Sequence, residues 1–133
     1  MAAVKAKYLL AVTLCVLLHQ NVAAGDAWES KRGLFIVSYE SALQPIGINR
    51  IHNWQLHIAN AGGDPVTSAD VEVVGGMPLH NHGLPTRPLV TEELGEGNYR
   101  LEGMRFHMAG DWELTITIVA DGKTDVVIVT LAL

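Results

Sequence analysis

The chain has 133 residues, a formal net charge of −5 at pH 7 and a single cysteine. That length holds one domain and leaves no room for a second core. An acidic chain with no basic run is a poor ligand for nucleic acid or an anionic membrane surface. A lone cysteine excludes a disulfide framework within the chain.

Residues 1–24 read as a leader, not as fold. Lys5 and Lys7 give a basic start, Tyr8–Leu18 is apolar, His19-Gln20-Asn21 is polar, and Val22-Ala23-Ala24 offers small residues to a peptidase. That three-part order predicts a secretory signal peptide cleaved after Ala24. The apolar run is shorter than the roughly 20 residues that a membrane-spanning helix needs. An uncleaved anchor is the alternative. Leu14 precedes Cys15 where lipid attachment needs a small residue. The domain expected after cleavage is 25–133, exported to the periplasm. It would carry no cysteine, hence no thiolate metal site and no cysteine nucleophile. Loss of Lys5 and Lys7 makes it more acidic still.

The next elements read as short strands. In Leu34–Glu40, Phe35, Val37 and Tyr39 share a face. Pro45 and Gly47 mark the connection to Ile51–Ile58. There His52, Trp54, Leu56 and Ile58 share one face, while Asn53, Gln55 and His57 share the other. Asn60–Pro65 predicts a turn. Ala69–Val74 is short and extended. Gly75–Pro88, reading GGMPLHNHGLPTRP, shows neither strand nor helix period and reads as a stiff exposed loop. Leu89–Leu94 and Tyr99–Glu102 follow as strands around a Gly95–Asn98 turn. Met104–Met108 (MRFHM) is a second segment rich in methionine and histidine. Trp112–Val119 alternates clearly, Asp121-Gly122 is a hairpin signal, and Lys123–Leu131 is a final Val/Ile-rich strand. Turns every 8–12 residues and no helical spacing predict an all-β fold. The expected form is an antiparallel, immunoglobulin-like β-sandwich of about seven strands, without the Cys-Trp-Cys pattern of a true immunoglobulin domain.

The chemistry-bearing residues gather in two places. Met77 lies three residues before His80, and Met104 and Met108 flank His107. Thioether sulfur is soft and suits Cu(I), while imidazole suits both copper oxidation states. His80 and His82 point the same way if their segment is extended. Pro78 and Pro85 limit the entropy lost on ordering the loop. The expected copper ligands are His80, His82, His107 and Met108. Met77 and Met104 stand as sulfur reserves, and His52 as a supporting candidate. Each has a plainer reading. Methionine is a common core filler, an HxH pair is often a surface feature, and His52 and His107 can be packed histidines. No G-x-S-x-G elbow, H-E-x-x-H or phosphate loop is present, so the expected role is not catalytic.

The order of motifs resembles the YtkA-like/FixH-like family of small bacterial extracytoplasmic domains. IHNWQLHI, GGMPLHNHGLPTRP and GNYRLEGMRFHMAGDWEL, in that order, carry the resemblance. It implies an immunoglobulin-type sandwich and a periplasmic setting near copper handling or respiratory-oxidase assembly. FixH-type members keep a membrane anchor, whereas this chain has the pattern of a cleavable signal. The expected function is a periplasmic copper carrier or sequestration domain. Its expected partners are the metal ion and a periplasmic or membrane-bound copper or respiratory protein. Two other readings stay open: a protein-interaction module with incidental histidines, and a binder of a small organic ligand between the sheets near Trp54 and Trp112.

Overall fold

The computed structural model describes residues 25–133. The leader expected at 1–24 lies outside the described residues. Nine strands form in chain order: β1 (Ala27–Glu29), β2 (Phe35–Ser41), β3 (His52–Asn60), β4 (Asp70–Met77), β5 (His82–Gly83), β6 (Leu89–Gly95), β7 (Asn98–Met104), β8 (Asp111–Ala120) and β9 (Lys123–Ala132). One sheet has the order β1-β2-β3-β7-β6 and the other β5-β4-β8-β9. All pairings are antiparallel. The two sheets make the expected β-sandwich. Its seven longer strands correspond to the seven expected; β1 and β5, of 3 and 2 residues, are additional.

Period-two alternation drives the arrangement. In β3, His52, Trp54, Leu56 and Ile58 are buried while Asn53, Gln55 and His57 are exposed. In β8, Trp112, Leu114, Ile116 and Ile118 face inward. Burying each large aliphatic side chain contributes about 1.5–3 kcal/mol. Asp121 and Gly122, both at positive φ, close the β8–β9 hairpin as a two-residue turn.

Two polar straps tie the sheets together. The Tyr99 hydroxyl, on β7, donates to the Val66 carbonyl at 2.7 Å and accepts from the Ala69 N–H at 3.1 Å. It thereby holds the connection that crosses from β3 to β4. Asp125, on β9, is 3% exposed. Its carboxylate accepts from Ser30 Oγ at 2.6 Å and from the N–H groups of Arg32, Leu34 and Val126 at 2.9, 3.3 and 2.8 Å. This fastens the β1–β2 turn to the opposite sheet. Burial alone pushes that carboxyl's pKa up. The Ser30 hydroxyl and the three backbone donors outweigh burial and hold it below its usual 3.8.

One sequence expectation changes. Gly75–Pro88 is not loop throughout. Gly75, Gly76 and Met77 continue β4, and His82–Gly83 returns as β5 against Gly76 and Met77. The stretch is a hairpin whose tip is residues 78–81. Its strand period is invisible in the sequence because Gly75 and Gly76 have no side chains to alternate.

Two outcomes test the straps. Tyr99→Phe leaves a buried carbonyl and a part-buried N–H without their partner, and should cost about 1–3 kcal/mol in urea unfolding at pH 7. A carboxylate with a depressed folded-state pKa stabilises fully above 3.8 and loses that contribution as pH falls through the folded value. Asp125→Asn should therefore lower stability at pH 7, and its unfolding midpoint should fall less than the wild type's on acidification below 3.8. Parallel acid profiles for the two proteins would refute the role given to Asp125.

Candidate metal centre

The β4–β5 hairpin is built on close backbone approach. A Cβ on Gly76 would stand 2.5 Å from the His82 carbonyl oxygen, and one on Gly75 would stand 2.4 Å from Leu114 Cδ2. Glycine at 76 admits the β5 backbone itself, whereas a Cβ at 75 would displace the ends of the Leu114 and Leu84 side chains. The His80 N–H donates to the Met77 carbonyl at 3.0 Å, and the Leu84 N–H donates to the Gly75 carbonyl at 2.9 Å. Asn81 sits at φ 51, a conformation asparagine tolerates better than most residues.

Met77 and His82 are direct cross-strand partners. Their side chains therefore leave the sheet on the same face. Met77 is 1% exposed, so that face is the inner one. His82 extends it outward over the end of the sandwich.

The second segment meets the hairpin there. A Cβ on Gly110 would stand 2.8 Å from Met77 Cε, so the methionine methyl packs on bare backbone. Thr86 Oγ1 donates to the Gly103 carbonyl at 2.6 Å. Trp112 Nε1 donates to the Met108 carbonyl at 3.0 Å. These contacts bring three imidazoles into a row. The His80 and His82 ring centres are 6.3 Å apart, and those of His82 and His107 are 5.8 Å apart. The His107 ring meets the Trp112 indole edge-on at 5.5 Å. His107 Nδ1 is buried with no hydrogen-bond partner.

Two imidazoles on one metal, with bonds of about 2 Å, place their ring centres roughly 5–6 Å apart. Both spacings around His82 are near that range. Among the described residues, no three His, Cys, Asp or Glu side chains already gather their donor atoms about one point. Closing the site takes rotation of His80 and His82, both exposed on the hairpin. Exposed side chains change rotamer within picoseconds to nanoseconds.

The other expected ligands divide. Met77 is buried directly beside His82, where its thioether faces the same end. Met108 is half-buried beside His107. Met104 is fully buried in β7, opposite His52. His52 is 8% exposed. Its Nδ1 lies 3.0 Å from the Arg50 carbonyl, which can only accept, so Nδ1 carries the proton and Nε2 is a buried acceptor without a donor. His52 and Met104 belong to the core layer around Trp54 and Phe106, outside the row of imidazoles. His57 is exposed and bonds Asn98 at 3.2 Å on a different face. The space between Trp54 and Trp112 is filled by Phe106, whose ring centre lies 6.2 and 5.2 Å from theirs. The residues that sequence reasoning missed are Thr86 and Gly110. Both join the two segments, and neither is a ligand type that would draw notice.

The model of the YtkA-like family matches residues 38–117, which include both segments. No curated protein matches the chain. Among solved structures, the fold is similar to a DUF4426 family protein from Pseudomonas aeruginosa, at 20% identity and a TM-score of 0.54, covering 80% of this chain and 94% of that one. A ZirS C-terminal domain gives a TM-score of 0.46 at 12% identity, covering 100% of this chain and 88% of that one, and carries no argument. The family match spans more than half of the chain, and the chain belongs to the YtkA-like family.

Proposed function

We propose that this domain binds one copper ion at the hairpin end of the sandwich and carries or sequesters it outside the cytoplasm. His82 is the central ligand, with His80 and His107 on either side and the sulfur of Met77 or Met108 completing the set. The observation that carries this reading is the His82–His107 approach at 5.8 Å. It joins two segments far apart in sequence, each held by its own contacts. The donor chemistry fits: three imidazoles and soft sulfur suit copper in both oxidation states. A metal at His107 also supplies a partner for its buried, orphaned Nδ1.

Carriage fits this end of the molecule better than catalysis. Two donors, His80 on the hairpin tip and His82 just after it, are exposed where an incoming protein can reach the ion. Leu79, 85% exposed on the same tip, gives such a protein an apolar contact point. The partner in this reading is a periplasmic or membrane-bound copper or respiratory protein. The leader pattern in residues 1–24 supports a periplasmic location in this reading.

Titration with Cu(I) and Cu(II) in separate competition assays tests the reading. The expected result is one ion bound more tightly than micromolar in at least one oxidation state. His82→Ala should weaken it by at least about 100-fold, since even loss of a ligand's supporting partner costs 10–100-fold. His57→Ala and Met104→Leu should leave it unchanged. No binding tighter than micromolar in either state refutes the proposal.

Gly76→Val should separate geometry from ligand identity. Its side chain would displace β5 from β4 and carry His82 away from His107. Copper affinity should fall as far as in His82→Ala, while the β-sheet circular dichroism is kept. Full affinity in that variant would show that the paired hairpin is not required.

A further inference from the structure

The imidazole row does not end at His107. Its ring touches Trp112, and Trp112 meets Phe106 edge-on at 5.2 Å. Phe106 meets Trp54 at 6.2 Å. Trp54 lies flat on Tyr39, with ring centres 3.8 Å apart and planes 7° from parallel. Tyr39 stacks in turn on Trp28 at 5.6 Å and 16°. All three tryptophans of the chain lie on this one path. It starts at the candidate metal centre, passes through the buried core and ends at two half-buried rings on β1 and β2.

Core packing alone explains part of this. Aromatic pairs favour offset-stacked and edge-to-face contacts at these distances. It does not explain the continuity. Phe35 and Tyr99 are as deeply buried, yet neither takes part in the ring contacts among the described residues. Nor does core packing need the stack to run outward through Tyr39 and Trp28.

We propose that this path is a hole-transfer relay that moves oxidising equivalents from the metal end to Tyr39. The inference rests on the copper reading for its source of oxidant; the relay itself is a property of the rings. Were copper held there as Cu(I), hydrogen peroxide would oxidise it to Cu(II) and leave hydroxide and a hydroxyl radical beside the histidines. The radical takes one electron from Trp112 and becomes hydroxide. Electrons then move from Trp54 to Trp112, with Phe106 bridging, and from Tyr39 to Trp54. Tyr39 releases its phenolic proton to water, leaving a neutral phenoxyl radical. The net change at the protein is one electron and one proton lost from Tyr39. An external one-electron reductant of the thiol or ascorbate class, with a proton from water, restores it. The histidine ligands are thereby spared. Before oxidation, burial and the nearby Asp26 carboxylate push the Tyr39 pKa up and keep the phenol protonated.

Flash photolysis tests the relay without copper, so its outcome is independent of the copper titration. A ruthenium(II) polypyridyl complex is coordinated to His80 in a full-length chain carrying His19→Gln, His57→Gln and His82→Gln. The excited complex is quenched by hexaammineruthenium(III), and phenoxyl absorbance is followed. Phenoxyl formation is expected. Tyr39→Phe, which keeps the ring stack, should abolish it. Phe106→Leu, with an unchanged circular dichroism spectrum, should slow it by an order of magnitude. Phenoxyl that survives Tyr39→Phe, or an undiminished rate in Phe106→Leu, overturns the proposal.

Discussion

The hairpin end of this molecule depends on how closely two backbones approach at Gly76 and on the room Gly75 leaves for the Leu114 and Leu84 side chains. A β-carbon at either position would collide with Leu114 or with the His82 carbonyl. Because neither exists, a two-residue strand can lie on the end of β4 and bring His82 into register with Met77. That register decides the face on which the imidazole emerges. A slip of one residue would move it to the other face of the sheet. The glycines cost backbone entropy on folding, about 0.5–1 kcal/mol each relative to alanine. The core strands beside them offset that cost, since Val71, Val73 and Met77 on the same face of β4 are all buried.

The frame below the hairpin is fixed by interactions of a different kind. Tyr99 and Asp125 each satisfy several backbone groups at a crossing between the sheets. Such groups are costly when left unpaired. One strap engages Ser30–Leu34, remote in sequence from the hairpin, and the other engages Val66–Ala69, at the end of β4 away from it. The sandwich is thus fastened independently of the histidine end. Changes in the rotamers of His80 and His82 need not propagate into the sheets. A tip with movable imidazoles can then sit on a rigid support.

Most of the fold was legible because most of it is written in alternation. His52 to Ile58 and Trp112 to Ile118 show their buried faces directly, and Asp121-Gly122 announces its turn. The hairpin was not legible, since alternation needs side chains and Gly75-Gly76 has none. β1 was also missed: three residues are too few to establish a period. The site was legible in part. His80, His82 and His107 could be chosen by type and spacing, but their approach depends on Thr86, Gly110 and the Met77 methyl. Met104 shows the limit of residue type as evidence. It lies only three residues from His107, yet it is fully buried at the end of β7. Its cross-strand partner is His52, not the row of imidazoles.

The two unpartnered imidazole nitrogens sharpen that division. His52 Nε2 and His107 Nδ1 are both buried without a hydrogen bond, a condition that costs about 1–3 kcal/mol. For His52 the cost is partly offset, because its other nitrogen donates to the Arg50 carbonyl at the start of β3. Its ring also packs against Trp54 and Phe106. A structural role accounts for it. His107 has no such hydrogen bond. Its ring contacts are Trp112 and His82, and a phenylalanine there would keep both contacts without the orphaned nitrogen. Stability alone therefore argues against histidine at 107. What an imidazole offers at that position is a ring nitrogen next to the rotatable His82 ring.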